Sequence, residues 1–414
     1  MTLLQIKPPL NAAQGASMTT TDRLFSHSSI LVPSALHEAV LREGFRPERQ
    51  TAIYLIYDAI SAQCNQMKNE WTRISDRTFR KLVKNHTRKS AEKKWLEEKG
   101  FIQIKKWPSK DGSIKNSKIP GRLSQAYRLV EQGGECLWVD LWGRKLEWPS
   151  FTASDHLCQY ARKVLKQIEV NRSQVGRLCL EEPGSSILSP ARRMAVLHWA
   201  RVLHFGTGSI RRGRRVNRLF SPWTSAPREL RRACLLCGEA IVSLDLQASQ
   251  PTLIGLLAQD DAFVEACFND VLYSQISRLF AISRDEAKPI FLSYIYGQNR
   301  KANARNRLAL EVQQYVADQF PKTHAFVWQE KAGNYKAFAR QLQNLEAKLF
   351  LDGILGEMKQ RGIPALTAHD SIAVPESKSE QALEISRRIL GELAGKGRLK
   401  MSNYGNQEEI AIAI

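Results

Sequence analysis

Residues 238–258 read "GEAIVSLDLQASQPTLIGLLA". Ile241 to Leu244 make a short apolar run of the kind that forms a buried strand. Asp245 stands at its end, and a polar turn and an apolar helix follow. Residues 359–375, "KQRGIPALTAHDSIAVP", repeat the theme by setting Asp370 between two short apolar runs, 125 residues after Asp245. His369, Asp370 and Ser371 together offer the residue types of a hydrolase triad. Adjacency argues against one, because successive side chains of an extended segment point to opposite faces. A triad needs side chains that converge from distant parts of a chain. A strand-end carboxylate paired with a hairpin carboxylate suits two divalent cations instead. Mg²⁺ takes hard oxygen ligands, and two ions about 3.5–4 Å apart stabilise the attacking and leaving oxygens of a phosphoryl displacement.

Between the two acids lies "SRDEAKPIFLSYIYGQNRKA", residues 283–302. Arg284 and Lys288 are four residues apart and share a helical face. Tyr296 lies two turns further on, near the same face. A triphosphate calls for cations and a base pair for an aromatic platform, and one helix here supplies both.

The formal charge is +20, and it is concentrated. Residues 71–122 hold 16 Lys/Arg against five Asp/Glu, and residues 199–232 hold nine Arg against Glu229 alone. Two basic blocks suggest two surfaces for a polyanion. The first block lies in an ordered unit. "TRISDRTFRKLVKNHTRKSAEKKWLEEKGFIQIKK" reads as helix, turn, helix and strand, followed by a basic hairpin loop and a returning strand, "SQAYRLV". This order resembles a winged helix. Its second helix carries Arg88, Lys89, Lys93 and Lys94, and its wing carries Lys115 and Lys118. Such a helix fits a duplex major groove, and wing lysines reach phosphates.

The chain has 414 residues and 43% hydrophobic content, enough for two or three cored domains. It contains no run of about 20 apolar residues that would cross a membrane, and its first residues lack the pattern of a secretory signal. Seven scattered cysteines imply a reducing, cytoplasmic setting.

From about residue 205 to 405 the sequence resembles the palm and fingers of A-family DNA polymerases and the related single-subunit phage-type RNA polymerases. Asp245 in "SLDLQASQP" matches the first metal-binding aspartate. Arg284, Lys288, Tyr296 and Gly297 match the R-x3-K-x7-Y-G of the fingers helix. His369 and Asp370 match the His-Asp of the third motif. "GRRVNRLFSPWTSAPRELRRACL" resembles the template-contacting segment before the first motif.

The resemblance implies an α+β fold: a winged-helix domain, then a compact right-hand polymerase with palm, fingers and a small helical thumb-like region. The expected boundaries are a flexible tail over 1–45, a winged-helix domain over 46–132, a linker and thumb-like region over 133–204, and palm and fingers over 205–414. It implies two-metal nucleotidyl transfer, with Asp245, Asp370 and the Leu246 carbonyl holding Mg²⁺ or Mn²⁺. Arg284 and Lys288 would bind the β,γ-phosphates, and Lys288 would protonate the departing pyrophosphate. Tyr296 would stack at the nascent pair. His369, Gln343, Glu346, Arg214, Arg215 and Arg218 are candidates for contact with primer or template. Three departures bear on sugar choice. Gln250 occupies the position where Glu excludes a ribose 2′-hydroxyl, and Leu292 replaces an aromatic residue. Ser371 after the aspartate is the phage RNA polymerase form. The expected partners are template and primer DNA and a dNTP or NTP, with a replicon origin as a further candidate. Three readings stay open: a small DNA polymerase serving a plasmid, phage or other mobile element, an RNA polymerase or primase of the same fold, and a DNA-binding initiator with an inert palm.

Overall fold

The computed structural model describes residues 6–7, 29–64, 72–74, 79, 86–104, 106–108, 114–116, 125–130, 136–140, 151–180, 188, 190–269, 271–299, 307–394, 398–404 and 409–413. The fold is mixed α+β. Among the described residues no helix is long and apolar enough to cross a membrane. Two compact units divide the chain. The first comprises residues 1–151, 168–209 and 225–234, and the second comprises 152–167, 210–224 and 235–414. The segment expected as a linker and thumb-like region over 133–204 is divided between them: residues 168–204 belong to the first unit and 152–167 to the second.

The first unit is built on α1 (Ser34–Arg42), α2 (Pro47–Cys64), α3 (His86–Glu98) and α4 (Pro190–His204). Gly100, at φ +77°, ends α3 in the left-handed conformation that glycine adopts without strain. Ile102–Ile104 follows and pairs with Gln125–Leu129, which also pairs with Thr72–Ile74, making a three-stranded antiparallel sheet. Of the first helix expected in the winged-helix pattern, only Phe79 is described, and most of the wing loop also lies outside the described residues.

Residues 29–45 correct the expectation of a flexible tail. Ser29–Pro33 is a strand paired antiparallel with Cys136–Asp140. Ile30, Val32, Leu36 and Val40 are fully buried in the same core as Ile53, Ile56 and Ile60 of α2. The apolar alternation of "SILVP" and the four-residue spacing of Leu36 and Val40 drive this burial. A Ser/Thr-rich surrounding hides both signals in the sequence.

The second unit carries an antiparallel sheet that includes β1 (Glu239–Leu246), β2 (Leu366–Thr367), β3 (Ser371–Pro375), β4 (Arg398–Asn403) and β5 (Glu409–Ala413). Their order is β2–β3–β1–β4–β5. Being central, β1 buries Ile241, Val242 and Leu244, which is why its sequence is nearly continuously apolar. Four helices matter to the site: α5 (Ser249–Leu257), α6 (Asp261–Phe268), α7 (Arg284–Tyr296) and α8 (Pro321–Ala347). Their core includes Phe263, set edge-on to Phe320 at 5.0 Å and stacked on Phe291 at 6.2 Å. Buried Asp260 caps α6 through the Phe263 N–H at 3.2 Å and also accepts from the Thr323 N–H at 3.1 Å, tying α8 to α6. A non-helical Asn334 breaks α8, and a π-helical stretch, Lys348–Leu355, follows it. Such π segments are rare and concentrate near functional sites.

Candidate active site

Antiparallel pairing of β1 with β3 sets Asp245 directly opposite Ser371. The Leu246 N–H donates to the Asp370 carbonyl at 3.2 Å. The two aspartates, 125 residues apart in the chain, are thus brought together by strand pairing, Asp245 on β1 and Asp370 in the loop just before β3. His369 and Asp370 form the two-residue loop of the β2–β3 hairpin, closed by the Ala368 N–H donating to the Ser371 carbonyl at 3.0 Å. The Ser371 hydroxyl donates to the Ala368 carbonyl at 3.1 Å. Ser371 therefore locks the turn that presents Asp370, a role independent of any triad.

Backbone strain is stored on both sides of this pair. Ala248 has φ +48° and His369 has φ +64°. Each non-glycine residue in this region costs of order 1 kcal/mol and persists where the surroundings over-determine it. Here one sits three residues after Asp245 and the other immediately before Asp370.

The helix α7 holds Arg284, Lys288, Leu292 and Tyr296 in a single element, as the spacing predicts. A capping box starts it: Ser283 accepts from the Glu286 N–H at 3.3 Å, and Glu286 accepts from the Ser283 N–H at 2.9 Å. Arg284 lies 5.9 Å from the Tyr273 ring centroid, and both Arg284 and Lys288 are exposed. Leu292 packs partly buried against the helical core. At the far end, a Cβ on Gly297 would come within 2.5 Å of the Ser293 carbonyl. The close approach of backbone to backbone explains a glycine after Tyr296. Burial first, and then the negative charges of Glu346 and Asp370, push the Tyr296 phenol up to about 12, while Arg218 opposes them. Tyr296, Glu346, Arg218 and Asp370 therefore share one electrostatic neighbourhood.

Glu346, a candidate for contact with primer or template in the sequence, is instead buried, so it does not present itself to a nucleic acid. Its side chain is 1% exposed. It accepts from Arg218 Nη2 and from Gln250 Nε2, and Ser249 Oγ lies 3.4 Å from the same oxygen as Gln250. Burial, reinforced by the negative charge of Asp370, raises its carboxyl to about 6 against the pull of Arg218. The sequence does hold a signal. Glu346 follows Leu342 by four residues and precedes Leu349 by three, so it lies on the buried stripe of its helix.

The remaining candidates are more exposed. Gln343 is half-buried on α8, Arg214 and Arg215 are exposed, and His369 is half-buried with its ring edge-on to Phe220 at 6.4 Å. A cavity of about 400 Å³ is lined by Arg215, Ala337, Arg340, Gln341 and Asn344.

In the first unit Lys93 requires a correction. Expected on a duplex-facing surface, it is 7% exposed. Its Nζ donates to Tyr127 Oη at 3.0 Å and stands 4.9 Å from the Phe79 ring centroid. The ammonium is satisfied inside the core by a hydroxyl and an aromatic face, so it is not presented to phosphate. Lys94 is exposed and pairs with Glu98 at 3.4 Å. Arg88 and Lys89 lie in α3 and Lys115 in the strand Ile114–Asn116, while Lys118 lies outside the described residues.

Among the described residues no group of three or more His, Cys, Asp or Glu side chains forms a metal cluster. The donor set of two carboxylates and a backbone carbonyl still fits Mg²⁺, which commonly takes one or two carboxylates and completes its shell with water and substrate phosphates.

No family model and no curated protein matches this chain. Among solved structures it is similar to the POL domain of Pol1 from M. smegmatis, in complex with DNA primer-template and dNTP, at 14% identity and a TM-score of 0.36. The match covers 53% of this chain and 54% of that one, so the chain spans about half the length of that structure.

Proposed function

We propose that the second unit is a compact nucleic-acid-templated nucleotidyltransferase, a small DNA polymerase of the A-family kind. The single observation that carries this reading is that the β1–β3 pairing brings the hairpin loop holding Asp370 beside the end of β1, with the Leu246 N–H bonded to the Asp370 carbonyl. In this reading the two carboxylates and the Leu246 carbonyl would hold Mg²⁺, or Mn²⁺ in its place. Bound there, the ions would stabilise the charge that develops as a 3′-hydroxyl attacks an α-phosphate. Arg284 and Lys288 would hold the β- and γ-phosphates, and Lys288 would donate a proton to the leaving pyrophosphate. Tyr296 would stack at the new base pair, and His369 would touch the primer end. Gln343, Arg214, Arg215 and Arg218 are the proposed contacts to primer and template.

The first unit is proposed as a winged-helix DNA-binding module, with Arg88, Lys89, Lys94, Lys115 and Lys118 toward the duplex. A module of this kind joined to a small polymerase suits a replication protein of a plasmid, phage or other mobile element, recognising an origin. An RNA polymerase or primase of the same fold is the second reading, favoured by Ser371 directly after Asp370.

The test is template-directed extension with dNTPs and NTPs supplied separately, with and without primer, in Mg²⁺ and in Mn²⁺. Asp245→Ala and Asp370→Ala are each expected to lower single-turnover incorporation by about a thousandfold or more, because each removes charge-stabilising groups from the transition state. Incorporation by either variant at the parental rate overturns the site. No incorporation under any condition overturns the reading.

A further inference from the structure

The C-terminal end of α7 is fastened from outside the helix. The Ser293 carbonyl is taken locally, by the Gly297 N–H at 2.8 Å. The Tyr294 carbonyl comes next, and the last four carbonyls of a helix have no partner within it. It accepts from Lys331 Nζ at 2.6 Å, a donor 37 residues further along the chain. Lys331 is 4% exposed, and its ammonium also stands 4.9 Å from the Tyr294 ring centroid. Burial pushes the ammonium down to about 8, so it remains charged at neutral pH. A cation here meets the negative end of the helix dipole. Helix ends are ordinarily completed by glycine, local backbone bonds or water, and a buried charge carries a desolvation cost that those solutions avoid.

Lys331 has neighbours that tie down the same stretch of chain. His324, Trp328 and Lys331 follow one another at intervals of four and three residues, the spacing of one helical face. The His324 ring lies 5° from parallel to the Tyr294 ring, with 6.1 Å between centroids, and its Nδ1 is 3.1 Å from Tyr294 Oη. The Trp328 carbonyl accepts from Asn299 Nδ2 at 2.6 Å. Residues 294–299 are therefore held to α8 at both ends. Tyr296 lies between the two ties.

We infer that Lys331 is a positioning residue for nucleotide binding: it fixes residues 294–299 against α8 and so sets where the Tyr296 ring stands. This rests on the nucleotidyl-transfer reading above, in which Tyr296 stacks at the new base pair, and adds a residue that the reading does not contain. Lys331 acts through Tyr296 and need not touch substrate.

Single-turnover addition of one nucleotide by the full chain, followed over nucleotide concentration, tests it. Lys331→Met keeps the length of the side chain and loses the charge and the donor. It is expected to raise the half-saturating nucleotide concentration about tenfold, within the range that one base–aromatic stack supplies. The maximal rate is expected to stay within about threefold, as when binding common to ground and transition states is lost. In a Tyr296→Ala background Lys331→Met is expected to raise that concentration no further, since two changes that remove one contact do not add. A merely structural lysine would lower the unfolding midpoint and the fraction of active protein, and leave the half-saturating concentration of the folded fraction unchanged. That outcome overturns the inference, and so does a tenfold rise that persists in the Tyr296→Ala background. Asn299→Ala removes only the second tie and decides the matter if Lys331→Met does not fold. It is expected to raise the half-saturating concentration about threefold, the range of one hydrogen bond, and only where Tyr296 is present. No rise in Asn299→Ala then overturns the inference. No addition of any nucleotide by the parent overturns the nucleotidyl-transfer reading and this inference together, whereas addition by the parent with unchanged half-saturation in the variants overturns this inference alone.

Discussion

Glu92 and Glu346 invite comparison. Each is 1% exposed and each carries one arginine, but they sit in different units and in different kinds of surroundings. Glu92 receives Arg49 Nε at both oxygens, at 3.1 and 3.0 Å, and the Arg49 guanidinium lies 3.7 Å from the Phe45 ring centroid. The pair joins α2 to α3 and leaves the arginine partly in water. Glu346 divides its two oxygens among Arg218, Gln250 and Ser249 while facing the negative charge of Asp370. Its neighbourhood also leaves Gln250 Oε1 and Arg218 Nε without partners among the described residues. A buried charge that is closed on itself holds a fold together. One that leaves donors and acceptors open, next to a second acid and beside left-handed backbone, is arranged for something that binds.

The largest expected effect breaks the closed pair. Glu92→Gln removes the charge that Arg49 needs, and breaking a buried pair this way costs about 3–5 kcal/mol when both partners are buried. Arg49 is 35% exposed and can rehydrate, so the expected loss is nearer 2–3 kcal/mol. Denaturant unfolding of parent and variant measures it, followed through the first unit's tryptophans. A loss below about 0.5 kcal/mol, the range of an ordinary surface change, would remove the distinction drawn between the two glutamates.

The open cluster predicts the opposite sign. A carboxyl raised from 4.5 to about 6 binds its proton more tightly when folded. Between those two pH values the folded chain therefore holds more protons than the unfolded one, and stability falls as pH rises. The stabilising contribution is complete below about pH 4.5 and lost above about pH 6, a difference of roughly 2 kcal/mol at 1.36 kcal/mol per unit. Glu346→Gln has no such titration. Its stability relative to the parent is expected to rise across this window, so that at pH 7 it is equal or more stable, by up to about 2 kcal/mol. Parallel stability curves for the two chains between pH 4 and 7 would sink the idea that ionised Glu346 is held at a cost.

Much of the candidate site's framework is legible in the sequence, because apolar runs that end abruptly in an acid announce buried strands with the acid at their edge. Asp245 and Asp370 are found that way, and the spacing of Arg284, Lys288 and Tyr296 gives a single helix. The meeting of the two acids is a matter of strand pairing, which local periodicity does not encode. Glu346 is named in the sequence only as a candidate contact to primer or template, and its burial escapes for a different reason. Charge type suggests a solvated face, and only its place on the stripe of Leu342 and Leu349 argues otherwise. The same conflict hides Lys93. In "AEKKWLEE" the buried stripe is Glu92, Lys93, Trp95 and Leu96, so half of it is written in charged residues.

Lys93 supplies the smallest expected effect and tests whether buried charge in the first unit is purely structural. Its ammonium sits between the Tyr127 hydroxyl and the Phe79 and Tyr127 rings, 4.9 and 5.6 Å from their centroids. Methionine is unbranched and of similar length, and it makes favourable contacts with aromatic rings. Lys93→Met loses one hydrogen bond and two cation–π contacts but avoids the desolvation of a charge. These terms oppose each other, and the net change is expected within about 1 kcal/mol of zero. DNA binding discriminates more sharply. A lysine that neutralises a phosphate contributes about one unit to the slope of log affinity against log salt. Lys93→Met is expected to leave that slope unchanged, whereas Lys94→Met, at an exposed position of the same helix, should lower it by about one if that face meets a duplex. A slope that falls on loss of Lys93 would mean that the buried lysine leaves its aromatic pocket to reach DNA, and the two units would then no longer differ in how they use buried charge.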